Sequence, residues 1–338
     1  MRRTGLVVLV SMMACTTGTD TTDTTGDPGV PQSGWHVAAD EVEGGVMLSA
    51  VELGGTVRIA GGSYETTGSL WQLTDAGLCV EREVAEKALW WVHGRSETDW
   101  YAVGEDSIVV HEVDGARTRE DLGQKGLTLF GLYDDGSAAW TVGGYARGDS
   151  TGEVWRKIDG GSWELLATTP GLAFKTWEGW VVGDGFVWWW NEAAGKFEDR
   201  TPEGEPRLLT ARGPNADTLF AVGGVARSEF HVWQDGAWTQ PETDPFCAGQ
   251  PLNGVYVEAE GSEAWVAGNY GTAASFSDGV WTCADFPVTS QHFHAAWKLA
   301  DQVLFLGGNL FATEGHVGTI GRYSDGEVPG IAWNGDCP

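Results

Sequence analysis

The stretch that decides the fold is Leu219–Trp238, LFAVGGVARSEFHVWQDGAW. It contains an apolar run (LFAVG), a short polar segment, a second apolar run (FHVWQ), an Asp-Gly pair and the start of a third run at Trp238. Short apolar runs bounded by Gly and Asp are typical of β-strands joined by tight turns. The stretch therefore predicts consecutive antiparallel strands.

The same pattern recurs along the whole chain, as VRIAGG, DWYAVG, AAWTVGG, GWVVGDG, AWVAGN and VLFLGGN. The first glycine after each apolar run serves as a marker, and neighbouring markers are 39 to 45 residues apart. The seven markers are Gly61, Gly104, Gly143, Gly183, Gly223, Gly268 and Gly307. A period of about 40 residues with several strands per unit is typical of a β-propeller. We therefore predict an all-β fold, a seven-bladed β-propeller.

Each repeat is long enough for four strands, so we expect four-stranded blades. In the fifth copy the predicted strands, from the innermost outward, are Arg207–Ala211, Thr218–Val222, Phe230–Gln234 and Ala237–Gln240. Asp235-Gly236 supplies the hairpin turn before the last of them.

The chain has 19 Trp, well above ordinary usage, and we expect most of them to pack between blades. Trp163, Trp238 and Trp281 follow their turns by two or three residues and should pack on the preceding strands. Trp188-Trp189-Trp190 alternates faces in a strand and is predicted to fill two blade interfaces. The alternative for this triplet is a platform for a sugar.

Residues 1–14 have the parts of a signal peptide, with Arg2 and Arg3 before a short apolar region. Met12-Met13-Ala14-Cys15 resembles a bacterial lipobox, which predicts lipidation of Cys15; the alternative is a plain signal peptide with an incidental cysteine. Residues 15–32 are rich in Thr and Asp, and we interpret them as a flexible, disordered tether. The propeller is assigned to residues 33–338. We therefore expect a lipoprotein anchored in the bacterial cell envelope, on the outer membrane or cell surface.

The formal net charge is −28, which argues against a nucleic-acid partner because such proteins need a basic surface. It also argues against adsorption to anionic lipid, so we expect membrane contact only through the N-terminal lipid. We expect a monomer that uses no cofactor or metal. No motif for a nucleophile elbow, a zinc protease or a phosphate loop is present, and no catalytic residue is predicted.

The repeated pattern A-V-G, loop, D-G-x-W resembles the repeats of the photosystem II stability and assembly factor family, over roughly residues 46–330. It is also similar to the BNR or Asp-box repeats of sialidase-like propellers, although Ser277-Asp278-Gly279-Val280-Trp281 is a contracted form of the full Asp-box. The first resemblance implies a non-catalytic binding or assembly scaffold. The second implies a glycan-acting hydrolase, which needs two carboxylates about 5–10 Å apart in the mouth of the channel.

A propeller must join its first and last blades, because open sheet edges favour aggregation. Ser33–Val37 precedes the first repeat and resembles an outer strand, so we predict that Trp35–Ala38 pairs with the last blade. Four further cysteines in an exported chain suggest two disulfides. Their places in the repeats predict the pairs Cys247–Cys283 and Cys79–Cys337.

Alternation of strand direction puts the loops between second and third strands on one face, together with the blade-to-blade links. These loops are longer and more varied than the turns of the other face, so we predict the binding face there. The candidate binding residues in these loops are Tyr64, Glu65, Tyr145, Arg147, Arg227, Tyr270 and Phe311. Aromatic and mixed polar groups suit a protein or a glycan; the alternative is that these are solvated loops.

Two further patterns occur in the sequence. Arg147-Gly148-Asp149 is an integrin-type tripeptide that is short enough to arise by chance. His292 and His294 would point the same way on a strand, but no third metal ligand is near in sequence, so we interpret them as a structural pair. The preferred function is an exported, lipid-anchored, non-catalytic scaffold that binds an unidentified protein or glycan; the alternative is the exported hydrolase.

Overall fold

The computed structural model describes residues 32–64, 66–146, 150–310 and 315–338. They form seven sheets, each with four antiparallel strands. The sheet of the first blade gains a fifth, parallel strand. The innermost strands of neighbouring blades contact one another, and those of the first and last blades also meet. The predicted seven-bladed β-propeller of four-stranded blades is confirmed. The predicted signal peptide, Cys15 and residues 15–31 of the tether lie outside the described residues.

The strands are numbered in chain order, starting with β1 (Gln32–Val42). Blades 1 to 3 are built from β2 (Val46–Leu53), β3 (Thr56–Ser63), β4 (Thr67–Thr74), β5 (Gly77–Ala85), β6 (Leu89–Ser96), β7 (Asp99–Gly104), β8 (Ile108–Val113), β9 (Ala116–Asp121), β10 (Thr128–Asp134), β11 (Ala138–Gly144), β12 (Gly152–Ile158) and β13 (Trp163–Thr169). Blades 4 to 6 are built from β14 (Ala173–Trp177), β15 (Trp180–Gly183), β16 (Val187–Asn191), β17 (Lys196–Asp199), β18 (Leu208–Asn215), β19 (Thr218–Gly224), β20 (Ser228–Gln234), β21 (Ala237–Thr239), β22 (Leu252–Val257), β23 (Glu263–Gly268), β24 (Ala273–Ser277) and β25 (Val280–Cys283).

The last blade contains β26 (Phe293–Lys298), β27 (Val303–Gly308), β28 (Gly318–Val328) and, as its outermost strand, β1. The remaining elements are β29 (Trp333–Asp336) and two short 3₁₀ turns, Glu105–Ser107 and Asn269–Gly271. No helix in the described ranges is both long and apolar enough to cross a membrane.

The seven marker glycines lie at or near the ends of the second strands, and each has the same steric reason to be glycine. A Cβ atom on any of them would come within less than 3.0 Å of a carbonyl oxygen at the start of the innermost strand of the same blade. Real Cβ atoms essentially never approach so closely. The repeat in the sequence therefore records a close approach of two backbones, once in every blade.

Each innermost strand is irregular at the same point. The pairing of first and second strands skips one residue in all seven blades, for example Phe130 between Leu129 and Gly131. Such a β-bulge leaves the extra residue unpaired and bends the strand. The bulges lie beside the marker glycines, so close backbone contact and bulge form one repeated unit.

The second strands are almost entirely buried between neighbouring blades, as their apolar runs predict; every residue of β11 is buried. The tryptophans that follow the turns also join blades. The indole Nε1 of Trp163 donates to Glu120 Oε2 at 2.7 Å, that of Trp238 to the Arg200 carbonyl at 2.5 Å, and that of Trp281 to the Glu242 carbonyl at 3.0 Å. In each case the acceptor lies about one repeat earlier in the chain.

The ring is closed by both ends of the described chain. β1 pairs antiparallel with β28, with Trp35 opposite Tyr323, so the predicted closure through Trp35–Ala38 is confirmed. β29 adds to β5 of the first blade as a parallel strand.

Two disulfides cross-link the described chain, and one of them lies at this closure. Cys79 in β5 is bonded to Cys337 after β29, across 258 residues of sequence, and Cys247 is bonded to Cys283 of the next blade, across 36 residues. The structure thus contains both predicted cysteine pairs, and the first of them holds the seam of the ring.

Candidate functional site: a central cavity at the loop face

A cavity of about 500 Å³ lies on the axis of the ring. Its walls come from the innermost strands of all seven blades, and its rim from loops between second and third strands, including Tyr64, Ala146 and Val225. We call the side that carries these loops and the blade-to-blade links the loop face, and the opposite side the turn face. The cavity opens on the loop face.

The extra residue of each bulge contributes to this cavity. The seven bulged residues, here called the bulge ring, are Leu48, Trp90, Phe130, Phe174, Leu209, Asn253 and His294, and all seven line the cavity. The innermost strands surround a central channel, of which the cavity is the widest part. A bulge interrupts the regular alternation of faces, so the bulged side chain points into this channel, where alternation alone would not place it.

The bulge ring has an apolar side and a polar side. Blades 1 to 5 contribute only apolar members, and their rings touch: Trp90 and Phe130 are 5.0 Å apart between centroids, and Phe130 and Phe174 are 5.5 Å apart. Blades 6 and 7 contribute Asn253 and His294. Asn253 Nδ2 donates to the Phe293 carbonyl at 2.9 Å, and the buried Nε2 of His294 has no hydrogen-bond partner in the described ranges. Burial lowers the pKa of His294 to about 4.

One amine lies within the apolar side. Lys175 follows Phe174 in β14 and is 8% exposed. Its Nζ donates to the Phe130 carbonyl and lies 4.0 Å from the centroid of the Trp91 ring. Burial lowers the pKa of Lys175 to about 7, because the charged form loses its hydration.

The rim is partly charged and partly apolar. The guanidinium of Arg207 lies 5.1 Å from the centroid of Phe174 and 3.7 Å from Asp184 Oδ2. Val225 is 74% exposed although it also lines the cavity.

The channel narrows beyond the cavity. A space of about 20 Å³ follows, and it shares Trp91, Thr210 and His294 with the cavity. Arg212 lines this space, with its guanidinium 4.4 to 5.0 Å from the centroids of three aromatic rings, those of Trp177, Tyr256 and Trp297. Burial lowers the pKa of Arg212 to about 10. Because the channel narrows in this direction, the wide opening of the cavity is on the loop face.

The candidate binding residues that were predicted from the sequence lie in different surroundings. Tyr64 lines the cavity. Arg227 is exposed in the loop between β19 and β20. Tyr270 is 58% exposed, has a left-handed backbone (φ 54°), and its ring centroid lies 4.9 Å from that of His292.

Tyr145 is placed differently. Its hydroxyl lies 3.2 Å from Gln124 Oε1 and 3.1 Å from Glu153 Oε1, and its half-buried ring packs on the core of blades 2 and 3. Its neighbour Ala146 lines the cavity instead. Glu65, Arg147 and Phe311 lie outside the described residues, as does the rest of the Arg147-Gly148-Asp149 tripeptide.

The tryptophan triplet and His292 pack against, or bond to, neighbouring side chains. Trp188 and Trp190 pack on the apolar cluster that blade 4 shares with blade 3, with Trp190 5.8 Å from Trp140 between ring centroids, and Trp189 packs on the cluster shared with blade 5, so the triplet fills two blade interfaces. His292 Nδ1 lies 3.1 Å from Asn269 Oδ1. Within the described ranges no group of three or more His, Cys, Asp or Glu side chains is arranged to hold a metal.

No described residue that lines the cavity is Asp or Glu; Glu65 and Glu314, which are close in sequence to the rim, lie outside the described residues. Sequence reasoning missed the bulge ring and Lys175. The marker glycines gave a signal, since each shows where the second strand comes close to the backbone of the first. That a β-bulge at this point turns a side chain of the first strand toward the cavity could not be predicted from the alternation of faces.

The fold and its central cavity define the class of the protein, a β-propeller closed by its N-terminal strand. Among solved structures, YCF48 bound to D1 peptide is 18% identical, with a TM-score of 0.61, and the match covers 87% of this chain and 99% of that one. YCF48 from Cyanidioschyzon merolae is 12% identical, with a TM-score of 0.62, covering 86% of this chain and 99% of that one. The WD40 propeller domain of Doa1 is 12% identical, with a TM-score of 0.60, covering 86% and 97%.

No family model and no curated protein matches the sequence. At these identities the likeness is one of fold. It supports the resemblance of the repeats to the photosystem II assembly factor family at that level.

Proposed function

We propose that this protein is an exported, lipid-anchored scaffold that binds an extended protein segment across the rim of the central cavity. The observation that carries the proposal is the exposure of Val225 and Tyr270, at 74% and 58%, on the loop face that also holds the cavity. Covering a large apolar side chain that is exposed to water lowers the free energy and so favours binding of a partner. The propeller of YCF48, which has the same fold, was solved with a D1 peptide, and this supports a peptide partner.

The path of the chain supports an outward-facing rim. Gln32 pairs with Val328 at the end of β28, and Val42 pairs with Gly318 at its start. β28 is a third strand and runs from the loop face to the turn face, so antiparallel β1 starts at the turn face. A lipid on Cys15 would hold the propeller by its turn face. The 16 residues between Cys15 and Gln32 reach at most about 55 Å, which is enough to keep the rim clear of the membrane.

The proposal is tested by selecting peptides from a displayed random library against the propeller, residues 32–338. We expect the enriched peptides to be apolar or aromatic and to bind at least tenfold more weakly to the Val225→Asp and Tyr270→Ser variants. Introducing a carboxylate or removing the ring takes away the apolar contact.

The matched control is Val280→Asp. Val280 is 63% exposed and follows the Asp278-Gly279 turn, on the turn face. Peptides that bind equally well to the two rim variants and to Val280→Asp would contradict the proposal, as would a selection that enriches no peptide at all.

A further inference from the structure

The central cavity of this acidic protein is lined by basic groups. Its described lining includes Lys175, Arg207 and His294 and no carboxylate, although the chain has a formal net charge of −28. Arg207 has Asp184 beside it at the rim. For Lys175, burial is the cause of its lowered pKa, with no carboxylate contributing.

A buried ammonium without a counter-charge is costly, by several kcal/mol for an isolated ion. The ammonium has three N–H groups, and the Phe130 carbonyl accepts one of them. The Trp91 ring lies 4.0 Å from the same Nζ, so at most two N–H groups remain for a ligand. His294 also lines the cavity, and its buried Nε2 has no hydrogen-bond partner among the described residues.

Most of the cavity wall is apolar. Leu48, Phe130, Phe174 and Leu310 are each at most 9% exposed and line the cavity together with Lys175. A volume of about 500 Å³ is in the range of small-molecule pockets, which are mostly apolar with a few polar groups that fix orientation.

We propose that the central cavity binds a small aliphatic monocarboxylate, with the carboxylate on the Lys175 ammonium and the chain against the apolar side of the bulge ring. A carboxylate on an ammonium forms a charge-assisted hydrogen bond in a site that excludes water. Lys175 lies on the innermost strand β14, whereas the residues proposed to contact a peptide, Val225 and Tyr270, lie in loops at the rim.

The test is calorimetric titration of the soluble body, residues 32–338, with decanoate, decanol and decylamine. These probes share one chain and differ in their head group. We expect decanoate to bind at least tenfold more tightly than the other two. Lys175→Met keeps the side-chain length and should weaken decanoate binding at least tenfold. Lys196→Met changes the net charge equally at an exposed position of β17 and should leave binding unchanged.

The pH dependence adds a second readout. The other titratable groups that line the cavity are Arg207, a permanent cation, His294, whose pKa of about 4 leaves it neutral above pH 6, and Tyr64 at the rim. Since the pKa of Lys175 is about 7 and decanoate binds the ammonium, its affinity should fall about tenfold per pH unit above pH 7.

Equal binding of the three probes, or decanoate binding that survives Lys175→Met, would overturn the proposal. If that variant did not fold, Leu209→Trp carries the test, because the larger side chain fills the cavity and should abolish decanoate binding. Peptide binding at the rim is measured separately, with the Val225 and Tyr270 variants, so the two proposals succeed or fail independently.

Discussion

The marker glycines show how one residue type determines a repeat. Gly143 has an ordinary extended backbone, so its requirement is not a positive φ. A Cβ there would meet the carbonyl of Thr128 and the Cα of Leu129. A side chain at a marker would therefore push the first two strands of its blade apart, next to the cavity wall.

We expect Gly143→Ala to lower the free energy of unfolding by about 1–3 kcal/mol, the usual range for overpacking. Gly326→Ala is the control, because a Cβ on Gly326 meets nothing within 4 Å. Urea denaturation of the two variants measures the difference. Equal stability of the two would show that the backbone contact at the marker is relaxed without cost.

Lys175 predicts an unusual pH dependence. Burial lowers its pKa from 10.5 to about 7, so between pH 7 and 10.5 the unfolded chain binds more protons than the folded protein. The contribution of this group to the free energy of unfolding therefore rises with pH across that window. Below pH 7 the folded protein carries the full cost of the buried charge.

Replacing Lys175 with Met should remove that cost. We expect Lys175→Met to raise the free energy of unfolding by about 1–4 kcal/mol at pH 6, and by much less near pH 10. Urea titrations at the two pH values check this, with Lys196→Met expected to stay within about 0.5 kcal/mol of the parent. A stabilisation independent of pH would mean that packing, not charge, decides the effect.

At the scale of the strand, the disulfides differ in what they hold. The Cys79–Cys337 bond spans 258 residues and joins the first blade to the end of the chain, whereas the Cys247–Cys283 bond spans 36 residues between adjacent blades. Chain-entropy estimates place their contributions at about 5–6 and about 4 kcal/mol.

We therefore expect the double variant Cys79→Ser/Cys337→Ser to lose more thermal stability than Cys247→Ser/Cys283→Ser. Calorimetry on both variants gives the order directly. The reverse order would indicate that pairing of β29 with β5 holds the seam without the covalent bond.

Much of this architecture was predictable because it depends on local chemistry that repeats. In the fifth copy, all four predicted strands overlap β18 to β21, since apolar runs and the Asp235-Gly236 turn define them. The inward direction of Leu209 was not predictable, because one bulged residue reverses the alternation on which such predictions rest. The hydrogen bonds of Tyr145 were also not predictable, because their partners are Gln124 in a loop of another blade and Glu153 in β12.

At the scale of the molecule, the proposed anchor depends on Cys15. We expect Cys15→Ser to move the protein from the membrane fraction to the soluble fraction of bacteria that produce it, because a chain without the lipid has lost its attachment. Metabolic labelling with a palmitate analogue should mark the parent and not the variant. Membrane association that persists in Cys15→Ser would contradict a lipid anchor at this residue.

The pairing of β1 with β28 also sets an order of events during synthesis. Asp40 accepts a hydrogen bond from Thr319, which is 279 residues later in the sequence, so the first strand to emerge needs one of the last as its neighbour. Because a polypeptide is delivered from its N-terminus, blades 1 to 6 can assemble while Gln32–Val42 still waits without a partner. A nascent chain that stalls before β28 would thus keep this strand without its native partner for the whole delay.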